Sequence, residues 1–172
     1  FDCRRNEAEK RGKRLGIGLA NYVERCGHGV SQDVDMKVSK NGAVTVLIGT
    51  MSNGQGHETA YAQIVNELLG VDPENVHVIQ GDTELITNGK GTGGSWSIPV
   101  GGAAISIAAE EIIKKGKQLA GHLLEAAEID IEFQNGSFTV AGTDRSISWK
   151  VLAANAFDPS LLPQGMLRGL KG

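Results

Sequence analysis

Apolar residues recur at helical spacing in three stretches of this chain. Between residues 57 and 69 they lie three and four positions apart, which predicts one buried face of an amphipathic helix. A second helix, built from small and apolar residues, is predicted to begin near Pro99 and to run towards Leu124, with an interruption expected at Gly116. A short third helix is predicted over residues 148–156.

Alternation of large apolar residues with small or polar ones predicts the strands. It covers residues 15–24, 34–38, 76–79, 131–133 and 138–140, and residues 43–49 form an apolar run. Asn41-Gly42 and Asn135-Gly136 predict two-residue turns that close two hairpins, because Asn and Gly tolerate positive φ. Helices and strands do not alternate regularly as βαβ units. We therefore expect an α+β fold with a mixed sheet and two principal helices.

The chain divides into three parts by composition. Residues 1–14 form a charged segment, residues 15–158 carry the predicted helices and strands, and residues 159–172 have the composition of a linker. The sequence starts at Phe1 without Met and ends on Gly169-Leu170-Lys171-Gly172. We expect it to be a piece cut from a longer protein.

Composition and charge narrow the classes of function. The 172 residues are 40% hydrophobic and 22% charged, which is ordinary for a globular protein, and no apolar run approaches the roughly 20 residues of a membrane span. We expect no membrane insertion. The net charge of −3 argues against a nucleic-acid partner. Cys3 and Cys26 form no Cys-x-x-Cys pair, so we expect free thiols, a cytoplasmic location and no zinc site.

A glycine-rich turn precedes the first long helix. Gly54-Gln55-Gly56-His57 joins a flexible turn to a helix start whose first amides are free to hold an anion. Gln55 could offer both a donor and an acceptor to a ligand, or could simply hold the turn. His57 could donate to a phosphate or cap the helix, and the Thr59 hydroxyl could reach a ligand or a backbone amide.

A second glycine-rich stretch covers residues 81–97. If both stretches lie at one end of the sheet, their amides and hydroxyls converge on a common anionic ligand. Asp82-Thr83 predicts an Asx-type turn. Neither stretch fits a P-loop or a dinucleotide motif, and we find no nucleophile elbow, carboxylate pair or catalytic triad. Any reactivity would therefore come from a cofactor.

These motifs carry a family resemblance. Residues 54–59, the Gly81-Asp82-Thr83 motif, residues 91–95 and residues 101–104 follow one another as in the molybdenum-cofactor-binding large subunits of the xanthine dehydrogenase and aldehyde oxidase family. The large chains of the bacterial carbon monoxide dehydrogenase type are the most similar members. The resemblance runs from about Gly16 to the end of the chain.

The resemblance implies a hydroxylase that adds water-derived oxygen to an aldehyde, an N-heterocycle or carbon monoxide. Its molybdenum would be held by a molybdopterin, with the cytosine dinucleotide form expected, and iron-sulfur clusters and FAD would sit on partner subunits or domains. Other expected partners are the rest of the large subunit and a small-molecule substrate. The implied cofactor-binding residues are Gly54, Gln55, Gly56, His57, Thr59, Thr92, Gly93, Gly94, Ser95 and Ser97.

Two departures limit what the resemblance implies. Many members of the family have Arg where this chain has Trp96, so the resemblance assigns no contact to that side chain. The catalytic glutamate of the family lies beyond the matched region, so we assign no catalytic residue and expect no turnover by this chain alone. The alternative from another class is a non-catalytic anion-binding or scaffolding domain.

Overall fold

Seven strands form two sheets in the computed structural model, which describes every residue from Phe1 to Gly172. The larger sheet has the order β3-β2-β1-β7, and only β2 and β3 in it run parallel. The smaller sheet is antiparallel with the order β4-β5-β6. The strands are β1 (Val34–Val38), β2 (Val44–Ile48), β3 (Val76–Ile79), β4 (Ile131–Gln134), β5 (Ser137–Val140), β6 (Ser146–Ser148) and β7 (Leu170–Lys171).

Four α-helices accompany the sheets. They are α1 (Asp2–Lys10), α2 (His57–Leu69), α3 (Ala103–Leu123) and α4 (Trp149–Asn155). The expected α+β class, the mixed sheet and the two principal helices, α2 and α3, are confirmed. The expected interruption at Gly116 is wrong, because α3 is continuous there. Its predicted start near Pro99 falls instead in a π-helical turn over Ser97–Gly102 that leads into α3.

The two Asn-Gly turns differ in the structure. Asn135 and Gly136 both have positive φ, 48° and 72°, as a two-residue hairpin turn requires. In the first hairpin only Gly42 does, at 86°, and the Ser39 amide donates to the Ala43 carbonyl. That loop therefore has three residues with glycine in the left-handed position, and the predicted two-residue turn is wrong there.

The strand predicted over residues 15–24 is also wrong. No strand lies between α1 and β1, and most side chains of this segment are exposed. Alternation shows that a segment can pair, but a strand forms only where a neighbouring edge accepts it. Conversely, β6 and β7 are too short to show any alternation in the sequence.

One parallel crossover positions the glycine-rich loops. Strand β2 leads through residues 49–56 into α2, and the chain then returns as β3 in parallel to β2. The carboxyl ends of β2 and β3 therefore meet at the same sheet edge. The segments that follow them, residues 49–56 and residues 80–97, begin side by side.

Helix α3 joins the two sheets into one core. It packs against β1 and β7 of the larger sheet, against β4 and β5 of the smaller one, and against α2. A Cβ on Gly116 would lie 2.7 Å from Cε1 of Phe138, whose ring is fully buried. This glycine therefore lets the smaller sheet approach the helix axis closely.

Replacing Gly116 with Ala tests this close approach. Helix propensity alone would stabilise the chain by about 1 kcal/mol. Because the added methyl overlaps the Phe138 ring, we expect Gly116→Ala to destabilise it by about 1–2 kcal/mol in urea unfolding. In a double-mutant cycle, Phe138→Leu should recover part of that loss. A gain in stability from Gly116→Ala would contradict the packing described.

Candidate functional site

The glycine turn before α2 is open to solvent. Gly54 and Gly56 have φ of 95° and 77°, and a Cβ on either would meet no atom within 4 Å. The first helical hydrogen bond runs from the Ala60 amide to the Gly56 carbonyl at 3.1 Å. The amides of residues 57–59 precede it, so they have no helical acceptor. The turn thus presents free backbone donors to an anion.

The side chains of this turn divide into exposed and buried ones. Gln55 and Thr59 are exposed, and Oε1 of Gln55 accepts a hydrogen bond from the Asn53 amide. Gln55 therefore holds the turn and keeps its carboxamide NH2 as a donor group. His57 is buried, and its ring is hydrogen-bonded to Gln80 and not to a backbone amide at the helix start, so the capping alternative is wrong.

A hydrogen-bonded chain beneath the turn connects the two glycine-rich loops. The Tyr61 hydroxyl lies 2.8 Å from the Ser97 carbonyl and 3.0 Å from Oγ1 of Thr50. Nε2 of Gln80 lies 2.5 Å from the same Thr50 oxygen and 3.2 Å from Nδ1 of His57. Thr50 and Gln80 directly follow β2 and β3, so the parallel crossover creates this contact.

The direction of this chain follows from its Ser97 end. A carbonyl only accepts, so the Tyr61 hydroxyl donates to it, and the Thr50 hydroxyl must donate to Tyr61. The Thr50 oxygen then accepts from Gln80.

The other hydrogen of the Gln80 amide group faces Nδ1 of His57, which is therefore an acceptor. When Nδ1 accepts this hydrogen bond, the ring proton lies on Nε2.

Burial protects the Tyr61 end of the chain. Desolvation raises the pKa of the Tyr61 hydroxyl above its ordinary value of 10.0, and the hydrogen bond with Thr50 opposes this only in part. The phenol therefore stays protonated around neutral pH and keeps donating to Ser97. At the other end, Oε1 of Gln80 is buried without any hydrogen-bond partner in the chain. Such an acceptor calls for a donor from outside the chain.

The second loop closes on itself. The hydroxyls of Thr92 and Ser97 are hydrogen-bonded, and Nε1 of Trp96 donates to the Gly91 carbonyl at 3.1 Å. The indole lies against Gly93 and Gly94, where an added Cβ would come within 3.0 Å of the ring. Trp96 therefore supports its own loop, a role that an Arg in this place would not fill in the same way.

A cavity of about 350 Å³ lies between the ends of β2 and β3. None of the ten predicted cofactor-binding residues lines it. Several of its lining residues belong to no sequence motif, although their positions after two adjacent parallel strands could have indicated them. Asp82 makes the expected Asx turn at its rim, accepting from the amides of Glu84 and Leu85. The lining residues are Gly49, Thr50, Met51, Gly81, Asp82, Thr83, Ile86, Thr87, Gly89 and Gly91.

The hydrogen-bond donors of the site are uncharged groups, namely backbone amides, a carboxamide and hydroxyls. No Lys or Arg is among the ten predicted residues, and Glu58 in the first turn of α2 accepts from the Ser52 hydroxyl at 3.4 Å. No group of three His, Cys, Asp or Glu side chains is placed to hold a metal ion. The residues present therefore suit a ligand that is held through its anionic and polar groups.

No helix is long and apolar enough to cross a membrane.

A comparison with protein families matches residues 1–169 to the molybdopterin cofactor-binding domain. The chain is 43% identical over 148 residues to 6-hydroxypseudooxynicotine dehydrogenase complex subunit gamma of Paenarthrobacter nicotinovorans. That match covers 86% of this chain and 18% of the relative. The chain is 35% identical over 179 residues to the carbon monoxide dehydrogenase large chain of Afipia carboxidovorans, covering 92% and 22%.

Solved structures agree with these relatives. Carbon monoxide dehydrogenase from Oligotropha carboxidovorans superposes with a TM-score of 0.83 at 32% identity, over 99% of this chain and 23% of that one. Quinoline 2-oxidoreductase from Pseudomonas putida 86 superposes with a TM-score of 0.77 at 34% identity, over 100% and 24%. The chain thus spans less than a quarter of each of these relatives. It belongs to the molybdopterin cofactor-binding domain family, a domain of the large subunits of the carbon monoxide dehydrogenase and xanthine oxidase type.

Proposed function

We propose that this chain forms one wall of the molybdopterin site in a molybdenum hydroxylase. The observation that carries the proposal is the open turn at Gly54 and Gly56, with the free amides of residues 57–59 behind it. Those amides would hold a phosphate of the cofactor, and the Gln55 carboxamide would donate to a polar ligand of the metal. His57 and Thr59 would contact the phosphate or the pterin.

The second loop would line the other side of the cofactor. Its proposed contacts are the backbone and hydroxyls of Thr92, Gly93, Gly94, Ser95 and Ser97. The hydrogen-bonded chain from Ser97 to His57 supports this, because it joins the two loops at their bases. The unpaired Oε1 of Gln80 is consistent with a donor that arrives from outside the chain.

When bound, the cofactor supplies the oxidation of a carbon centre with oxygen taken from water. We propose its cytosine dinucleotide form, with iron-sulfur clusters and FAD on partner subunits or domains. An aldehyde, an N-heterocycle or carbon monoxide is the proposed substrate class. Residues 15–158 would be the main part of the cofactor-binding domain and would not turn over alone. The proposed linker 159–172 follows them, and its last residues pair with β1 as β7. Because Cys3 and Cys26 are exposed free thiols, we place the protein in the cytoplasm.

One observation favours the scaffolding alternative. Gln55 and Trp96 both make hydrogen bonds inside their own loops, as purely structural residues would. If the domain is only a scaffold, substituting such residues should leave the molybdenum content unchanged. The two functions therefore differ in what the variants below do to metal content and turnover.

Gln55→Ala in the longer large subunit tests the contact directly. Removing a donor to a charged ligand group should lower turnover about tenfold to a hundredfold, with a fall in bound molybdenum measured by metal analysis. Gln118→Ala, at an exposed position on α3, is the matched control and should change neither. Unchanged molybdenum and turnover in Gln55→Ala would favour the scaffold.

Tyr61→Phe tests the link between the two loops. The phenyl ring keeps the packing but leaves the Ser97 carbonyl and the Thr50 hydroxyl without their partner. We expect a loss of about 1–2 kcal/mol in the free energy of unfolding. We also expect the longer subunit to retain less cofactor, because the Tyr61 hydroxyl joins the two loops through its hydrogen bonds to Thr50 and Ser97. Full cofactor retention at reduced stability would show that the two loops bind independently.

A further inference from the structure

An apolar segment over residues 15–23 is left uncovered by the rest of the chain. Four of its large side chains are almost fully exposed: Ile17 by 79%, Leu19 by 98%, Tyr22 by 78% and Val23 by 95%. We call this segment the apolar ribbon. Surface apolar residues are common singly, but four such side chains within seven positions of one segment are typical of an interaction site.

The backbone of the apolar ribbon is as uncovered as its side chains. The backbone hydrogen bond nearest on one side starts at the Lys13 amide and the nearest on the other at the Gly27 amide. No amide or carbonyl from residues 14–26 is bonded to another part of the chain. Both edges of the ribbon are therefore free to pair with a strand.

The two faces of the ribbon differ in shape over residues 15–20, before Tyr22 adds a large side chain to the second face. Leu15, Ile17 and Leu19 alternate with Gly16, Gly18 and Ala20, so an extended backbone puts the large residues on one face and the small ones on the other. A Cβ on Gly16 or Gly18 would meet nothing within 4 Å, and neither residue has a positive φ. These glycines therefore serve no conformational purpose in this chain. They suit a face that a second layer approaches closely.

We propose that the apolar ribbon is an inner strand of a sheet completed by the rest of the large subunit. More than three quarters of the length of the relatives lies outside the region matched by this chain, so the longer subunit has ample material to cover it. A second copy of the chain is a poorer occupant, because pairing ribbon to ribbon covers one edge and leaves both faces in water. The proposal rests on membership of a longer subunit and not on cofactor binding.

Amide hydrogen exchange tests the proposal on the cofactor-free longer subunit and on the 172-residue chain at the same concentration. We expect residues 15–23 to exchange quickly in the short chain and to be strongly protected in the longer subunit. Fast exchange in both would overturn the proposal. Protection in the short chain that rises with its concentration would also overturn it, in favour of self-association.

A matched pair of charge substitutions gives an independent readout. Leu19→Asp and Ile129→Asp each place a carboxylate at an apolar side chain that is more than 90% exposed, the second one outside the ribbon. In the 172-residue chain neither should change the melting temperature. In the longer subunit only Leu19→Asp should lower it. Equal effects of the two variants in the longer subunit would contradict the proposal.

Gly18→Val tests the small face. Valine favours an extended backbone and meets no atom in the short chain, so the melting temperature there should not fall. In the longer subunit the same change should lower it, because the closely packed face has no room for the side chain. An unaffected longer subunit would overturn the close approach. Molybdenum content of the unsubstituted subunit, measured separately, tests the proposed function without bearing on this interface.

Discussion

The hydrogen bonds that join Ser97 to His57 have fixed directions, because the Ser97 carbonyl at one end cannot donate. Tyr61 donates to Ser97 and Thr50 donates to Tyr61, while the Gln80 amide group donates both to Thr50 and to Nδ1 of His57. Buried polar groups of this kind are stable only when their partners are in place. The geometry of both glycine-rich loops therefore depends on one network, and on the parallel β2 and β3 strands whose ends supply Thr50 and Gln80.

Two glycines allow the smaller sheet to pack closely against the helices. Gly116 lets the Phe138 ring lie against α3, and Gly70 has a left-handed φ of 67° and lies against the turn at Asn135 and Gly136. A Cβ on Gly70 would come within 2.6 Å of the Asn135 carbonyl carbon. The smaller sheet thus packs closely against both principal helices, at the middle of α3 and at the end of α2.

Much of this arrangement can be predicted from the sequence, and the exceptions share a cause. Helices α2, α3 and α4 and the two hairpins follow from local spacing and turn chemistry, as residues 57–69 and Asn135-Gly136 show. Helix α1 has no apolar periodicity and appears in the sequence only as a charged segment. Residues 15–24 have the same local signal as a strand but no edge to pair with. The contact between His57 and Gln80, 23 positions apart, depends on the crossover and has no local signature. The hydrogen bond from the Trp96 indole to the Gly91 carbonyl likewise has no local signature, and only the structure shows it.

The protonation of the His57 ring is the most direct measure of this account. Nitrogen NMR of the chain labelled at its four histidines distinguishes the two ring nitrogens of each. The network predicts that the proton of the His57 ring lies on Nε2, with Nδ1 as a hydrogen-bond acceptor, and that Gln80→Leu removes the hydrogen bond at Nδ1. A proton on Nδ1 in the unsubstituted chain would contradict the direction of the network, and with it the link between the two loops.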